Sequence, residues 1–163
     1  MMLFINGNMN SGKTTIGKLL KKEIPNSVFI DVDYIAKDYS FYKKYLTFLE
    51  YTELRFNIML DYIKNIKDDK FYIFSYLFFE YRYKKLTDLL GQKNFLFVTL
   101  SPPLDFLLKN KGSRKLKSIE KLKIRHFYKL GIHNFPNHGI SIDNSLYSLP
   151  ETVERIKRML LLY

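Results

Sequence analysis

Short apolar runs alternate with longer stretches of helical spacing along the whole chain. The pattern predicts five strands, each bounded by polar or turn-forming residues: Met2–Ile5, Ser27–Ile30, Phe71–Tyr76, Phe95–Leu100 and Gly139–Ile142. Four of these runs are continuously apolar, which is typical of parallel strands covered on both faces. The pattern therefore predicts an α/β fold in which a parallel sheet lies between two layers of helices.

The segments between the predicted strands have helical spacing or helix-start signals. Helices are expected at four places: Lys13–Glu23, about Phe41–Ile66, Tyr81–Leu90 and Ser118–Leu130. Ser101 followed by Pro102 predicts a further helix start, because a hydroxyl caps well and proline fits the first helical position. Ser148 and Glu151 have capping-box spacing ahead of a last helix that ends near Leu162. With no repeat or linker, residues 1–163 are expected to form one domain.

Composition excludes several classes of protein. There is no cysteine, so disulfides and thiolate metal sites are excluded. No apolar run approaches the ~18 residues of a membrane span. The chain also enters strand-like sequence at once, without the pattern of a signal peptide. We therefore expect a cytoplasmic protein with no membrane partner, either a monomer or a homodimer.

The formal net charge of +11 has two explanations. One is a polyanionic partner such as nucleic acid. The other is a compositional bias toward Lys, Asn, Ile, Tyr and Phe, and the lysines are spread along the chain as that bias predicts. The one local basic cluster is "KNKGSRKLK", Lys109–Lys117. Nucleic acid therefore stays an alternative partner that the charge alone does not favour.

A phosphate-binding motif follows the first predicted strand. The sequence "GNMNSGKT" has the spacing G-x-x-x-x-G-K-[ST], with a strand before it and an amphipathic helix behind it. We expect Lys13 to reach the β- and γ-phosphates and the Thr14 hydroxyl to ligate Mg²⁺. The residues predicted to hold the nucleotide are Gly7, Asn8, Asn10, Ser11, Gly12, Lys13, Thr14 and Thr15. The motif predicts a site for a nucleoside triphosphate.

A pair of carboxylates follows the second predicted strand, in "FIDVDY". Asp31 and Asp33 are two residues apart, so on a strand they would share a face at the sheet edge that lines ligand crevices. Mg²⁺ between them would relieve their repulsion, while one carboxylate could accept a proton from an attacking hydroxyl. The alternative is a turn-forming pair that caps the next helix.

The order of elements and five motifs resemble the small phosphate-loop kinases of adenylate-kinase-type architecture. That group includes shikimate and gluconate kinases, chloramphenicol phosphotransferase and the zeta-toxin-like kinases. The motifs are "GNMNSGKT", "FIDVD", "GSRKL", "IRHFY" and "ISIDNS". The resemblance implies a three-layer P-loop fold with a five-stranded parallel sheet of order 2-3-1-4-5. It also implies an ATP- and Mg²⁺-dependent kinase with a basic lid at residues 109–117.

The resemblance also implies roles for individual residues. Asp31 would assist the metal, Asp33 would be the catalytic base, and Arg114 would be the lid cation that closes over the phosphates. The alternative for Arg114 is a solvated basic loop.

Two further arginines and an asparagine are candidates on the same grounds. Arg55 and Arg125 would bind an anionic group of the acceptor, although a surface salt bridge explains each equally well. Asn144 lies where such kinases hold adenine, and a plain turn is the alternative.

Several departures leave the acceptor open. "FSYLFFEYR" stands where shikimate kinases carry a glycine triplet, and the upstream lid arginine is represented at best by Lys109 or Lys111. The region 34–69, expected to shape the acceptor pocket, matches no acceptor-specific pattern. The prediction is transfer of the γ-phosphate of ATP to a hydroxyl or phosphate of a small molecule. The alternatives are a non-catalytic nucleotide-binding switch and a polynucleotide 5′-kinase.

Overall fold

A five-stranded parallel sheet forms the centre of the protein. The structure is a computed structural model that describes residues 1–35, 41, 44–67, 69–91, 94–112, 114–134 and 138–162. The strands are β1 Met2–Gly7, β2 Ser27–Asp31, β3 Phe71–Ser75, β4 Phe95–Leu100 and β5 Ile140–Ile142. Their order is β2-β3-β1-β4-β5, which confirms the predicted fold class and strand order.

Helices cover both faces of this sheet. They are α1 Lys13–Glu23, α2 Val32–Ile35, α3 Phe48–Lys64, α4 Glu80–Leu90, α5 Leu104–Leu108, α6 Ser118–Lys129 and α7 Leu149–Leu160. None of the helices in the described ranges is long and apolar enough to cross a membrane.

The side chains of β1 divide between two hydrophobic cores, as the two-residue period of a strand requires. Met2 and Phe4 pack on the side of α3 and α4, whereas Leu3 and Ile5 pack on the side of α1 and α7. All four are buried. The continuous apolar runs of the sequence therefore correspond to strands covered on both faces.

Helix α3 begins later than the pattern predicted. The expected start was about Phe41, but the helix starts at Phe48 because Thr47 and Glu50 form a capping box. The Thr47 hydroxyl accepts from the backbone N–H of Glu50 at 3.3 Å, and the Glu50 carboxylate accepts from that of Thr47 at 2.8 Å. Within the region 34–69, residues 36–40, 42–43 and 68 lie outside the described residues.

Helix α5 also starts after its predicted position. Ser101 and Pro102 were expected to begin it, but the first helical residue is Leu104 and Pro103 is the N-cap. Proline disfavours helical backbone in the residue before it, so Pro103 keeps Pro102 out of the helix.

Candidate active site

A cavity of about 560 Å³ opens at the carboxyl ends of the strands. Its wall is formed by the loop after β1, the start of α1, the turn from β2 into α2, the loop after β3, residues of α3, α4 and α6, and the segment between α5 and α6. In open α/β sheets this edge is where ligands bind.

The loop between β1 and α1 needs both of its motif glycines. Gly7 has φ +145°, and a Cβ atom there would lie 2.7 Å from the carbonyl oxygen of Leu100. Gly12 is the N-cap of α1 and has φ +100°, a backbone conformation that residues with a side chain rarely adopt. The first N–H groups of α1 begin at the cavity, as an anion site requires.

Side chains of the predicted nucleotide residues hold this loop in place. The Asn8 amide donates to the carbonyl of Ile124 in α6 at 2.9 Å, and the Asn10 amide donates to the carbonyl of Leu107 in α5 at 2.8 Å. The Asn144 amide donates to the backbone carbonyl of Ser11 at 2.9 Å. These side chains therefore bind neighbouring backbone. Of the predicted set, the residues that line the cavity are Asn10, Gly12, Lys13, Thr14 and Thr15.

Lys13 is held beneath the loop. Its Nζ donates to the carbonyls of Gly7 and Asn8, both at 2.8 Å. Burial lowers the pKa of Lys13 to about 8, although the nearby carboxylates of Asp33 and Asp31 act in the opposite direction. The loop thus holds a desolvated ammonium group beside the two carboxylates that the sequence singled out.

The two carboxylates line the cavity, but the backbone that carries them differs from the predicted strand. The Thr14 hydroxyl donates to Asp31 Oδ2 at 2.9 Å, and the backbone N–H of Asp33 donates to Asp31 Oδ1 at 3.1 Å. The expectation that both lie on one strand face is wrong, because β2 ends at Asp31 and Asp33 lies in the first turn of α2. Asp31 therefore caps α2, and both residues line the cavity.

Thr14 and Asp31 provide oxygen ligands of the kind that Mg²⁺ prefers. Among the described residues, no group of three or more His, Asp or Glu side chains could hold a metal ion. A magnesium ion at this place would therefore take most of its ligands from phosphate oxygens and water, which is its usual behaviour in phosphate sites.

The other side of the cavity is an aromatic compartment with cationic side chains. It is lined by Phe48, Tyr51, Arg55, Phe79, Arg82, Lys123 and Phe127. Arg55 forms an ion pair with Asp33 through Nη1, and its guanidinium lies 4.8 Å from the centre of the Tyr51 ring. Contacts therefore run from Thr14 through Asp31 and Asp33 to Arg55, and they join the phosphate loop to the aromatic compartment.

Comparison with known proteins identifies the fold. No protein-family model and no curated protein sequence match the chain. A shikimate kinase from Bacteroides thetaiotaomicron is similar in structure, with a TM-score of 0.71, 18% identity and 98% of each chain covered. A gluconokinase from Sinorhizobium meliloti gives a TM-score of 0.72 at 14% identity, covering 99% of this chain and 95% of that one. The chain has the fold of the small phosphate-loop kinases.

A third similar structure carries a different name. The tunicamycin resistance protein of Deinococcus radiodurans gives a TM-score of 0.66 at 15% identity, covering 98% of this chain and 94% of that one. Identities this low establish the phosphate-loop kinase fold and leave the substrate to be argued from the residues of the site.

Helix α6 presents a different cation to the cavity from the one expected. Lys123 and Phe127 line the cavity, whereas Arg125 is exposed and is not among its described lining residues. Arg125 is two residues from Lys123, so it points about 200° away around the helix. The structure therefore does not bring Arg125 together with the other predicted substrate residues, and Lys123 lies there instead.

Arg82 is a cavity residue that the sequence reasoning missed. Its side chain is only 1% exposed, and its guanidinium donates to Glu53 and to the hydroxyls of Thr52 and Tyr76. Burial raises the pKa of Tyr76 to about 12, so this hydroxyl stays protonated. A signal was available, because Arg82 has helical spacing with two buried leucines of α4, at positions 86 and 90.

The predicted lid contributes two cations to the cavity, Lys111 and Arg114. Arg114 pairs with Glu120 at 2.9 Å, and the Lys111 ammonium donates to the carbonyl of Asn10 in the phosphate loop at 2.7 Å. Burial, followed by the charge of Arg114, lowers the pKa of Lys111 to about 8. Within the predicted lid, 109–117, Ser113 lies outside the described residues.

Two lysines were considered for the upstream lid position, and only Lys111 lines the cavity among the described residues. Lys109 is exposed and lies 3.9 Å from the carboxylate of Asp105, whereas Lys111 lines the cavity.

Proposed function

We propose that this protein is an ATP-dependent kinase that transfers the γ-phosphoryl group of ATP to a hydroxyl or phosphate group of a small molecule. The observation that carries the proposal is that the phosphate loop, the Asp31 and Asp33 carboxylates and a second, aromatic compartment lie in the same cavity. A nucleotide-binding switch has no need of a second compartment beside its phosphates. A kinase needs one for its acceptor.

The phosphate loop side suits the triphosphate. The N–H groups at the start of α1 and the Lys13 ammonium would bind the β- and γ-phosphates, and Lys111 and Arg114 would approach from the other side. Thr14 and Asp31 would hold Mg²⁺, which, when bound, neutralises charge on the phosphate oxygens. Asn144 braces the loop, and we keep it as a candidate neighbour of the adenine.

The transfer step needs a proton acceptor and a cation. The acceptor oxygen attacks the γ-phosphorus, its proton passes to the Asp33 carboxylate, and the bond to the bridging oxygen breaks as ADP leaves with the electron pair. Arg114 would stabilise the charge that develops on the phosphoryl oxygens. Arg55 would hold the Asp33 carboxylate between the phosphate loop and the acceptor.

The first test concerns the role of the phosphate loop in binding ATP and in turnover. Lys13→Ala should weaken ATP binding by at least about tenfold and abolish ADP formation, because it removes a charge-assisted contact with the phosphates. Calorimetry with ATP and Mg²⁺ measures the first effect, and an assay for ADP with mixed small-molecule acceptors measures the second. Unchanged affinity and turnover in the variant would refute the proposed role of the loop.

A further inference from the structure

We infer that the acceptor of this kinase is a planar aromatic compound that carries a negative charge. This inference rests on the proposed function and narrows its acceptor to one chemical class. It also separates the protein from the shikimate kinase and the gluconokinase that share its fold, since the compounds in those names are polyhydroxylated and not aromatic. Three features of the aromatic compartment support it.

The first feature is the wall of rings. Phe48 and Phe127 stack with their centres 5.9 Å apart and their planes at 28°, and Phe79 meets Phe127 edge-to-face at 6.1 Å. Tyr51 continues the wall along α3. Phe48 is 43% exposed although it lines the cavity, so a large apolar surface stays available there. Flat aromatic ligands gain from such a wall through burial and ring-to-ring contact.

The second feature is that two neutral hydroxyls among the described cavity residues, those of Thr52 and Tyr76, already have partners within the protein. The Tyr76 hydroxyl donates to the carbonyl of Thr52 at 2.6 Å and accepts from Arg82. The Thr52 hydroxyl donates to the carbonyl of Leu49 and also accepts from Arg82. A polyol hydroxyl placed against these two groups or against the rings would give up its water and gain no partner there, which costs free energy.

The third feature, within the residues that the structure describes, is one cation without an ion-pair partner and one guanidinium with an unused N–H group. Among the described residues, no carboxylate pairs with Lys123, whose ammonium lies 4.6 Å from the centre of the Phe48 ring. Arg55 is paired with Asp33 through Nη1, but its buried Nε has no hydrogen-bond partner in the described part of the chain. Arg82, by contrast, is compensated by Glu53 at 3.3 Å. A carboxylate or phosphate group on the acceptor would give Lys123 an ion-pair partner and would give Arg55 Nε a hydrogen-bond acceptor.

The test compares three compounds that separate ring from charge. They are 6-hydroxy-2-naphthoate, its neutral carboxamide and shikimate, each titrated into the protein with Mg²⁺ and a non-hydrolysable ATP analogue present. The analogue fills the nucleotide site, so that binding reports the aromatic compartment. Fluorescence of the naphthalene ring measures the affinities of the naphthoate and the carboxamide. The affinity of shikimate is measured by its displacement of the bound naphthoate.

The naphthoate should bind at least about tenfold more tightly than the carboxamide and than shikimate. Equal affinity for naphthoate and carboxamide would refute the charge requirement. Shikimate binding as tightly as the naphthoate would refute the aromatic requirement. Because this order is measured on the unaltered protein, it does not depend on how any variant folds.

Variants in α6 and α3 test whether the naphthoate binds in the aromatic compartment. Lys123→Gln should weaken naphthoate binding about tenfold and leave carboxamide binding unchanged, whereas Phe48→Ala should weaken both compounds. Lys129→Gln is the matched control, because Lys129 is an exposed lysine on the same helix. If Arg125→Gln, and not Lys123→Gln, removed the preference for the anion, the proposed site would be wrong.

The proposed acceptor class and the proposed kinase activity can be refuted independently of each other. If the naphthoate binds in the predicted order but no acceptor receives a phosphoryl group from ATP, the proposed function is wrong and the binding site stands. If ATP phosphorylates shikimate or gluconate more efficiently than any aromatic anion, the protein is a kinase and the acceptor class is wrong.

Discussion

At the scale of single residues, two cavity lysines should make nucleotide binding depend on pH. The pKa values of Lys13 and Lys111 are both lowered to about 8, chiefly by burial. A triphosphate placed between them favours their charged forms and would raise both pKa values. Nucleotide binding should therefore take up protons at a pH where the lysines are partly neutral.

We expect ATP binding to take up protons at about pH 8.5 and almost none at about pH 6.5, where both lysines already carry their charge. Calorimetry in buffers of different ionisation enthalpy measures this uptake. Lys111→Gln should remove part of it while binding persists. Proton uptake that is equal at the two pH values would contradict the assignment of both lysines to the phosphates.

Asp33 has the most specific chemical role in the mechanism that we propose. Asp33→Asn keeps the shape of the side chain but removes the proton acceptor, so turnover should fall by about 10²- to 10⁴-fold while ATP affinity persists. Steady-state assays and ATP titrations of the variant measure the two effects.

The Asp33 ion pair with Arg55 requires its own control. If Asp33 served only as the partner of Arg55, then Asp33→Asn would cost nothing further in an Arg55→Gln background. We expect it still to reduce turnover there, and an additional effect close to zero would assign Asp33 a positioning role alone.

At the scale of elements, the sequence predicted what depends on local pattern. The glycine loop, α1 and the five strands follow from short-range spacing and turn residues, and they lie where they were predicted within one or two residues. What could not be predicted depends on how helices dock. The rotation of α6 decides between Lys123 and Arg125, and the burial of one face of α4 places Arg82 in the cavity.

The connection between the phosphate loop and the lid is also an element-scale property. Asn10 donates to a carbonyl at the end of α5 and accepts from Lys111, so the loop contacts the lid directly. We therefore predict that a non-hydrolysable ATP analogue increases protection from hydrogen exchange across residues 109–117. Protection that does not change with the analogue would make this segment a basic surface loop.

Arg114 should carry the catalytic effect of the lid. Arg114→Ala is expected to reduce turnover far more than it weakens nucleotide binding, because its charge acts on the transferred phosphoryl group. Lys115→Ala is the matched control, since Lys115 is the next residue, is exposed and does not line the cavity. Equal losses of turnover in the two variants would contradict a specific role for Arg114 in catalysis.

At the scale of the whole molecule, the charge of +11 and the cavity lead to different expectations about partners. Lys13, Arg55, Arg82, Lys111, Arg114 and Lys123 are the cations among the described cavity residues. These cations line one cavity, which we propose holds the phosphates and a small acceptor. We therefore predict that a 5′-hydroxyl oligonucleotide is not phosphorylated under conditions in which a small acceptor is. Salt-sensitive labelling of the oligonucleotide by ATP would favour a polynucleotide kinase instead.

The fate of the γ-phosphoryl group tests the central claim most directly. The protein is incubated with γ-labelled ATP, Mg²⁺ and a mixture of small acceptors that includes aromatic carboxylates, nucleosides and sugars, and the labelled products are separated. We predict that label moves into an organic acceptor with the unaltered protein and does not move with Lys13→Ala. Label that stays in ATP, or that appears only as inorganic phosphate, would contradict the proposal that this cavity transfers phosphoryl groups.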